Sequence, residues 1–306
     1  MEKKLQQSAK ERLIYSRENR RSDEVRGRIL VTAAALIMIA ATVAITIFLG
    51  VKGLQSFFIN GVSPIEFLTS RNWSLGDKSY GVLPFIFGSF AVTVLSALIA
   101  GPLGIGAAIF MTEIAPSWGK KILQPVVELL VGIPSVVYGF IGLTVLVPFI
   151  RKNFENTQGF SLLAGMIVLS IMILPTITSI AADAMASLPK SLKEGSFALG
   201  ATRWQTIRKV LIPAATPTLL TAIVLGMARA FGEALAVQMV IGNVTSIPKL
   251  LTDPSATLTT IITQNMGNTT TGSVDNNVIW SMGLVLLIMS FIFILFIRYL
   301  SSRRKI

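Results

Sequence analysis

Apolar runs long enough to cross a bilayer recur along this 306-residue chain, separated by short polar stretches. Four are read directly, at 29–51, 82–111, 160–182 and 278–297, by the requirement of roughly 20 apolar residues per helical span. A fifth, 214–241, is broken only by Arg229 and Glu233. A sixth, about 123–150, contains Pro125, Glu128 and Pro134, so its start is undefined. The pattern predicts an all-α integral membrane protein with about six transmembrane helices, the third along the chain being the weakest. Composition agrees: 52% apolar and 14% charged residues are too greasy for an ordinary soluble domain.

Charge sets the orientation. The N-terminus, the 112–122 loop, the 183–209 loop and the C-terminus hold 9, 2, 5 and 4 lysines and arginines. The opposite side holds six: Lys52, Arg71, Lys78, Arg151, Lys152 and Lys249. By the positive-inside rule both ends are cytoplasmic, as an even number of spans requires. The net charge of +12 is mostly this asymmetry, so it is not a nucleic-acid signature. The implied organisation is a basic cytoplasmic tail at 1–28, a first span with an external loop at 29–81, a membrane core at 82–298 with a cytoplasmic loop at 183–213, and a cytoplasmic tail at 299–306. The first tail mixes nine basic and five acidic residues. It reads as a topology-fixing tail or as an amphipathic helix drawn to anionic lipid. It is no signal peptide, because the apolar run after it is too long and lacks a small-residue cleavage site.

Absences narrow the chemistry. With no histidine and no cysteine there is no Ser-His triad, thiolate nucleophile, ordinary zinc site or disulfide. No GxxxxGK[ST] loop is present to cradle ATP phosphates. Gly101, Gly104 and Gly106 only imitate one; in a membrane span they are expected to let helices approach closely. Three N-x-[ST] triplets, at Asn72, Asn243 and Asn268, carry no assigned function.

The 183–213 loop is the most structured soluble segment. Ser191 and Glu194 form a capping-box pattern after Pro189, and Gly200 suits the end of that short helix. Thr202 and Gln205 form a second box, starting a helix that runs to Pro213. Two short helices hinged at a glycine make a knob exposing Leu192, Phe197 and Leu199. Such a knob fits a groove on a soluble partner, or it lies on headgroups as an interfacial connector.

The charged span admits two readings. A charge at mid-membrane costs about 2.5–3.5 kcal/mol on insertion scales, so Arg229 and Glu233 need a partner or a wet path. Four residues apart, they fall on one helical face and can pair as a structural ion pair. Alternatively Arg229 offers a transient bidentate contact to an oxyanion, which Glu233 keeps from becoming a trap. Gln238 and Asn243 continue the polar character outward. Glu128 fits a shallow cytoplasmic segment ending near Pro134 better than a binding role. Ser135 and Tyr138 either line a path or bond between helices. Beyond the membrane, 252–277 is rich in Thr, Asn and Gly, with a short helix expected at 258–266 that an external partner could touch.

Several segments carry a family resemblance. Glu194, Gly195, Ser196, Gly200, Val210, Ile212 and Pro213 follow the EAA-xxx-G-x9-I-x-L-P signature of permeases in ATP-driven importers, with Gly195-Ser196 for the usual Ala-Ala. PLGIGAAIFMTEIAP (102–116), ELLVGIPSVVYGF (128–140) and ARAFGEALAVQMVIGN (228–243) are more specific. Over about 87–298 the chain resembles the PstC family of phosphate-specific ABC importer permeases. RAFGEALAV and the basic tail point to this family rather than to its sister PstA. The resemblance implies the type I ABC importer permease fold in a bacterial plasma membrane. It also implies a PstA-like permease as the other half, two PstB-like ATPase subunits on the cytoplasmic knobs and a PstS-like phosphate-binding protein outside. No cofactor belongs to this chain in that scheme, since ATP and Mg sit on the ATPase, which alone hydrolyses ATP. Arg229 and Glu233 would lie in the phosphate pathway. Glu194, Gly195, Ser196, Gly200 and Pro213 would couple to the ATPase. The alternatives are a permease for another oxyanion such as molybdate or sulfate, an autonomous carrier, and a membrane scaffold or sensor. A carrier would be favoured by an inverted repeat, and the two halves of the chain show no convincing match.

Overall fold

The computed structural model describes residues 2–155 and 157–302, with side chains at 24–155, 157–295 and 299. The amphipathic reading of the N-terminal tail therefore rests on side chains mostly outside the described residues, as does the end of the C-terminal tail from 303. The chain divides into two compact units after Lys52. Among the described residues six helices are long and apolar enough to cross a membrane: Glu24–Phe58, Leu83–Ile114, Ser135–Asn153, Leu162–Ala186, Arg203–Phe231 and Val274–Leu295. The predicted number holds.

The first unit belongs to one continuous helix, α1 (Glu2–Phe58). In an apolar medium every polar group must be satisfied within the helix. Thr42 and Thr46 comply by donating to the carbonyls of Met38 and Thr42, one turn back, at 2.9 and 2.8 Å.

The second unit is organised around α7 (Leu162–Ala186), the fourth span. It lies against α3 (Leu83–Ile109) of the second span and α10 (Ile212–Phe231) of the fifth. Their close approach depends on two glycines facing Ile177, which is fully buried. A Cβ at Gly104 would sit 2.9 Å from Ile177 Cγ2, and one at Gly226 would sit 2.6 Å from Ile177 Cγ1. Both distances are shorter than carbon–carbon contact allows. Gly104 thus packs helices as expected. Gly101 only touches Ile223, and Gly106 faces open space, so the expectation fails there.

Prolines explain the departures from the predicted boundaries. Three times the residue before a proline closes a wide turn, bonding its N–H five residues back. Ala115 bonds to Phe110 before Pro116, Val147 to Gly142 before Pro148, and Ile212 to Ile207 before Pro213. A proline has no N–H and its ring collides with the carbonyl four residues earlier. The extra residue in a π turn shifts that carbonyl ladder. The short helix expected to stop at Pro213 therefore passes through it, and the fifth span begins at Arg203 rather than at 214. The third span, by contrast, starts only at Ser135. Ile133, preceding Pro134, is extended (φ −66°, ψ 128°), as a pre-proline residue prefers. Residues upstream form a separate amphipathic helix, α4 (Ser117–Gly132), which carries Glu128 outside the span.

A second, smaller core joins Phe67, Val82, Phe85, Ala256, Leu258, Ile261, Val278 and Met282. It roofs the end of the bundle opposite the 183–209 loop. The roof consists of α2 (Pro64–Thr69), the hairpin β1 (Trp73–Ser74) and β2 (Ser79–Tyr80), and α12 (Leu258–Met266). Trp73 stands edge-on to Phe85 at 5.4 Å. Tyr80 donates to Asp275 at 2.8 Å. Burial, reinforced by that bond and by the charge of Asp275, pushes the Tyr80 hydroxyl up to about 12. Helix α12 has the predicted bounds and begins with a capping box at Thr257 and Thr260. Its first turn is buried, however, with Leu258 N–H donating to Ser89 at 2.9 Å. Only its later turns, at Thr263 and Gln264, are open to a partner.

Candidate functional site

The sequence singles out a charged pair inside the membrane and a loop at one end of the bundle. The structure separates the pair. Helix α10 ends at Phe231, and Gly232 closes it with an N–H to the Ala230 carbonyl. The predicted fifth span to residue 241 is therefore too long, and a separate turn, α11 (Leu235–Gln238), follows the break. With the helix interrupted between them, Arg229 and Glu233 do not share a helical face, and the ion pair of the first reading does not form. Glu233 instead accepts the backbone N–H of Ala236 at 3.0 Å, and its carbonyl accepts Thr259 Oγ1 at 2.8 Å.

Arg229 is half-buried in the last turn of α10, where the helix dipole favours a cation. Its Nη1 donates to Thr176 Oγ1 on α7 at 2.7 Å. The only salt bridge among the described residues lies elsewhere, so no carboxylate neutralises this guanidinium. None of its nitrogens is sealed away without a partner, so the other donors open onto the surface of the chain. A guanidinium carries five N–H groups in a planar fork suited to oxyanions. Here one donor is held by a neutral hydroxyl and the fork remains available. Thr176 carries no signal of this role in the sequence, because nothing local marks a threonine 53 positions away as a partner of Arg229.

The neighbouring polar residues have structural duties. Tyr138, buried on α5 (Ser135–Ile141), donates to the Leu130 carbonyl at 2.9 Å, bridging the bend at Pro134. Asn243 has a left-handed backbone (φ 55°) and donates to the Gln238 carbonyl at 2.9 Å.

At the loop, α8 (Lys190–Ala198) starts two residues earlier than a cap at Ser191 predicts. Pro189 occupies the cap position with no side-chain bond, so the predicted Ser191–Glu194 box does not form. Proline's fixed φ of −57° enters the helix without a capping side chain. The far end matches the expectation. Gly200 is left-handed (φ 80°), its N–H reaches the Phe197 carbonyl at 2.9 Å, and Ala201 N–H reaches Ser196 at 3.2 Å. This paired closure needs a residue tolerant of positive φ, which glycine supplies. The second box forms as read: Gln205 N–H to Thr202 Oγ1 at 3.3 Å, and Thr202 N–H to Gln205 Oε1 at 2.8 Å. It opens α9 (Arg203–Thr206), which runs on into α10.

The signature residues divide by direction. Ser196 is buried and its hydroxyl meets that of Thr206 at 2.9 Å, so a small residue is required there. Glu194 and Gly195 are exposed, and a Cβ on Gly195 would meet nothing within 4 Å. Pro213 lies beyond the knob, in the first turn of α10. The tip carries Leu199, 90% exposed, beside Phe197 and Trp204, also exposed. Beneath it, Lys193 Nζ lies 2.5 Å from Glu113 Oε2 at the end of the second span. Sequence reasoning gave Glu113 no role. Its signal is a carboxylate that ends an apolar run.

Residues 100–306 match the family described as "Binding-protein-dependent transport system inner membrane component". The chain is 78% identical over 301 residues to the "Probable ABC transporter permease protein YqgH" of Bacillus subtilis (strain 168), covering 98% of this chain and 97% of that one. It is 34% identical over 290 residues to the "Phosphate transport system permease protein PstC" of Mesorhizobium japonicum, covering 89% and 87%. An inward-facing structure of the MetNI methionine ABC transporter shares the fold, with a TM-score of 0.58 at 20% identity over 74% of this chain and 96% of that one. The chain thus belongs to the binding-protein-dependent inner membrane components, the multi-pass permeases of ABC importers, whose ATP is hydrolysed by separate subunits.

Proposed function

We propose that this permease forms half of a transmembrane pathway for inorganic phosphate. A PstA-like permease supplies the other half, two PstB-like ATPase subunits seat on the 190–206 knobs, and a PstS-like protein delivers phosphate at the outer face. The observation that carries this reading is Arg229, a membrane-embedded cation bonded to a hydroxyl and, among the described residues, to no carboxylate. An unneutralised charge in a span is costly unless something else uses it. A phosphate oxygen can take the fork with a bidentate, charge-assisted bond while displacing only the neutral Thr176 contact. Glu233, just past the helix break, repels the anion and keeps its stay short, as transport requires. Relatives bearing a phosphate-transport name support the substrate. In this scheme the chain holds no cofactor of its own; ATP and Mg bind the ATPase subunits.

Glu194, Gly195, Ser196, Gly200 and Pro213 act in coupling. The exposed Glu194 and Gly195 present the contact face, Ser196 and Gly200 shape the knob, and Pro213 fixes the turn through which it joins the fifth span. The test is labelled-phosphate uptake by the reconstituted four-component complex. Arg229→Ala should remove uptake while leaving assembly intact, and normal uptake by that variant would refute the pathway role. A fork and a hydroxyl also suit sulfate or molybdate, so competition by these anions in the same assay distinguishes the second reading. Inhibition by excess sulfate at the concentration where unlabelled phosphate competes would favour it.

A further inference from the structure

The salt bridge at the base of the knob joins parts of the chain 80 residues apart. Glu113 sits in the π turn Phe110–Ile114 that ends the second span, and it is only 9% exposed. A carboxylate buried to that degree needs its charge answered. Lys193, on α8, answers it. Arg203, at the start of α9, donates to the Glu113 backbone carbonyl. The two cations come from either side of Gly200, so both arms of the knob converge on one residue of the second span. Within the knob, the Ser196–Thr206 hydroxyl contact and the closure at Gly200 join those arms to each other. The knob is therefore fastened to the fifth span by the chain itself and to the second span through Glu113.

We propose that Glu113 is the positioning residue that transmits movement of the knob to the second span. A displacement of α8 by an ATPase subunit pulls on Lys193, hence on Glu113, hence on the base of α3. Because α3 packs along α7, which also carries Thr176, the pull reaches the helix that holds Arg229. Without the ion pair, the knob still binds its partner but keeps only the Arg203 bond to the Glu113 carbonyl, so it drags the second span far less than the fifth. This inference rests on the coupling role assigned to the knob above.

The experiment uses proteoliposomes containing the chain with its permease, ATPase and binding-protein partners, the partners being cysteine-free variants. Phosphate moved and ATP hydrolysed are measured together. For Glu113→Gln and for Lys193→Met, the ATPase should co-purify as before and hydrolysis should continue. Phosphate moved per ATP should fall about tenfold, as expected for loss of a charged hydrogen bond. This chain has no cysteine, so Glu113→Cys combined with Lys193→Cys gives a unique thiol pair. A short cleavable thiol cross-linker across the pair should restore the ratio, and reductant should abolish the rescue. An unchanged ratio in Glu113→Gln, loss of ATPase binding in that variant, or failure of the cross-link to rescue would each overturn the proposal. Leu199→Asp, run in parallel, tests the underlying reading and should prevent ATPase binding. If Leu199→Asp binds and couples normally, the knob is not the docking element. If it fails as expected while Glu113→Gln stays coupled, only the tie is refuted.

Discussion

Two cationic sites in this permease meet opposite fates. At the base of the knob, Lys193 finds a buried carboxylate at 2.5 Å, and Arg203 caps the same residue's carbonyl. Inside the membrane, Arg229 finds a threonine hydroxyl, and the carboxylate four positions along is turned away by a helix break. A neutralised, multiply bonded site holds elements in place. A cation left with a neutral partner keeps binding capacity for something that comes and goes. The same chemistry serves as a mechanical link in one region and as a transient ligand site in the other.

Breaking the membrane site should have the largest effect. Arg229→Ala is expected to lower ATP-dependent phosphate uptake by roughly 100-fold, in line with losing hydrogen bonds to a charged group, with the complex still intact by co-purification. Arg229→Lys keeps the charge and loses the fork, so its uptake should fall between the two. At the knob, Gly200→Glu places a side chain at φ 80°, where left-handed backbone costs about 1–2 kcal/mol. It also puts a charge beside the apolar tip. Hydrolysis should persist while uptake falls, and normal ATP-coupled uptake would remove Gly200 from the coupling role.

Smaller effects test the scaffold between the sites. Gly226→Val forces a branched side chain against Ile177 and should destabilise the chain by about 1–3 kcal/mol in thermal unfolding. Ile177→Ala in the same background should recover part of that loss. The smallest effect concerns the roof. The Tyr80 hydroxyl, ordinarily near 10.0, is raised to about 12 in the folded chain. Between those values the folded state keeps a proton that the unfolded state has lost. The stability it contributes is complete below pH 10 and disappears as pH rises through about 12. The Tm advantage of the native chain over Tyr80→Phe should therefore shrink across that window.

Much of this architecture is legible in the residues because lipid imposes a simple rule. Runs such as 82–111 and 160–182 announce themselves by length and apolarity alone. The Thr202–Gln205 box and the left-handed Gly200 are likewise local, set by a few adjacent side chains. What escaped depends on backbone adjustment or on distant partners. Pro213 looked like a helix end, and only the π turn before it shows how the helix passes through. Arg229 and Glu233 looked paired at i,i+4 spacing, yet Gly232 ends the helix between them. Glu113 and Thr176 gain meaning only when helices far apart in sequence come together, and no local pattern specifies that.

The transport mechanism turns on Arg229 serving phosphate rather than structure. Its most direct test is ATP-driven uptake of labelled phosphate into proteoliposomes containing this permease with its PstA-like, PstB-like and PstS-like partners. Flux should need all four components and fall roughly 100-fold in an assembled, ATP-hydrolysing complex carrying Arg229→Ala. Normal flux in that variant, or no phosphate flux from an assembled complex of the unaltered chain that hydrolyses ATP, would contradict this mechanism.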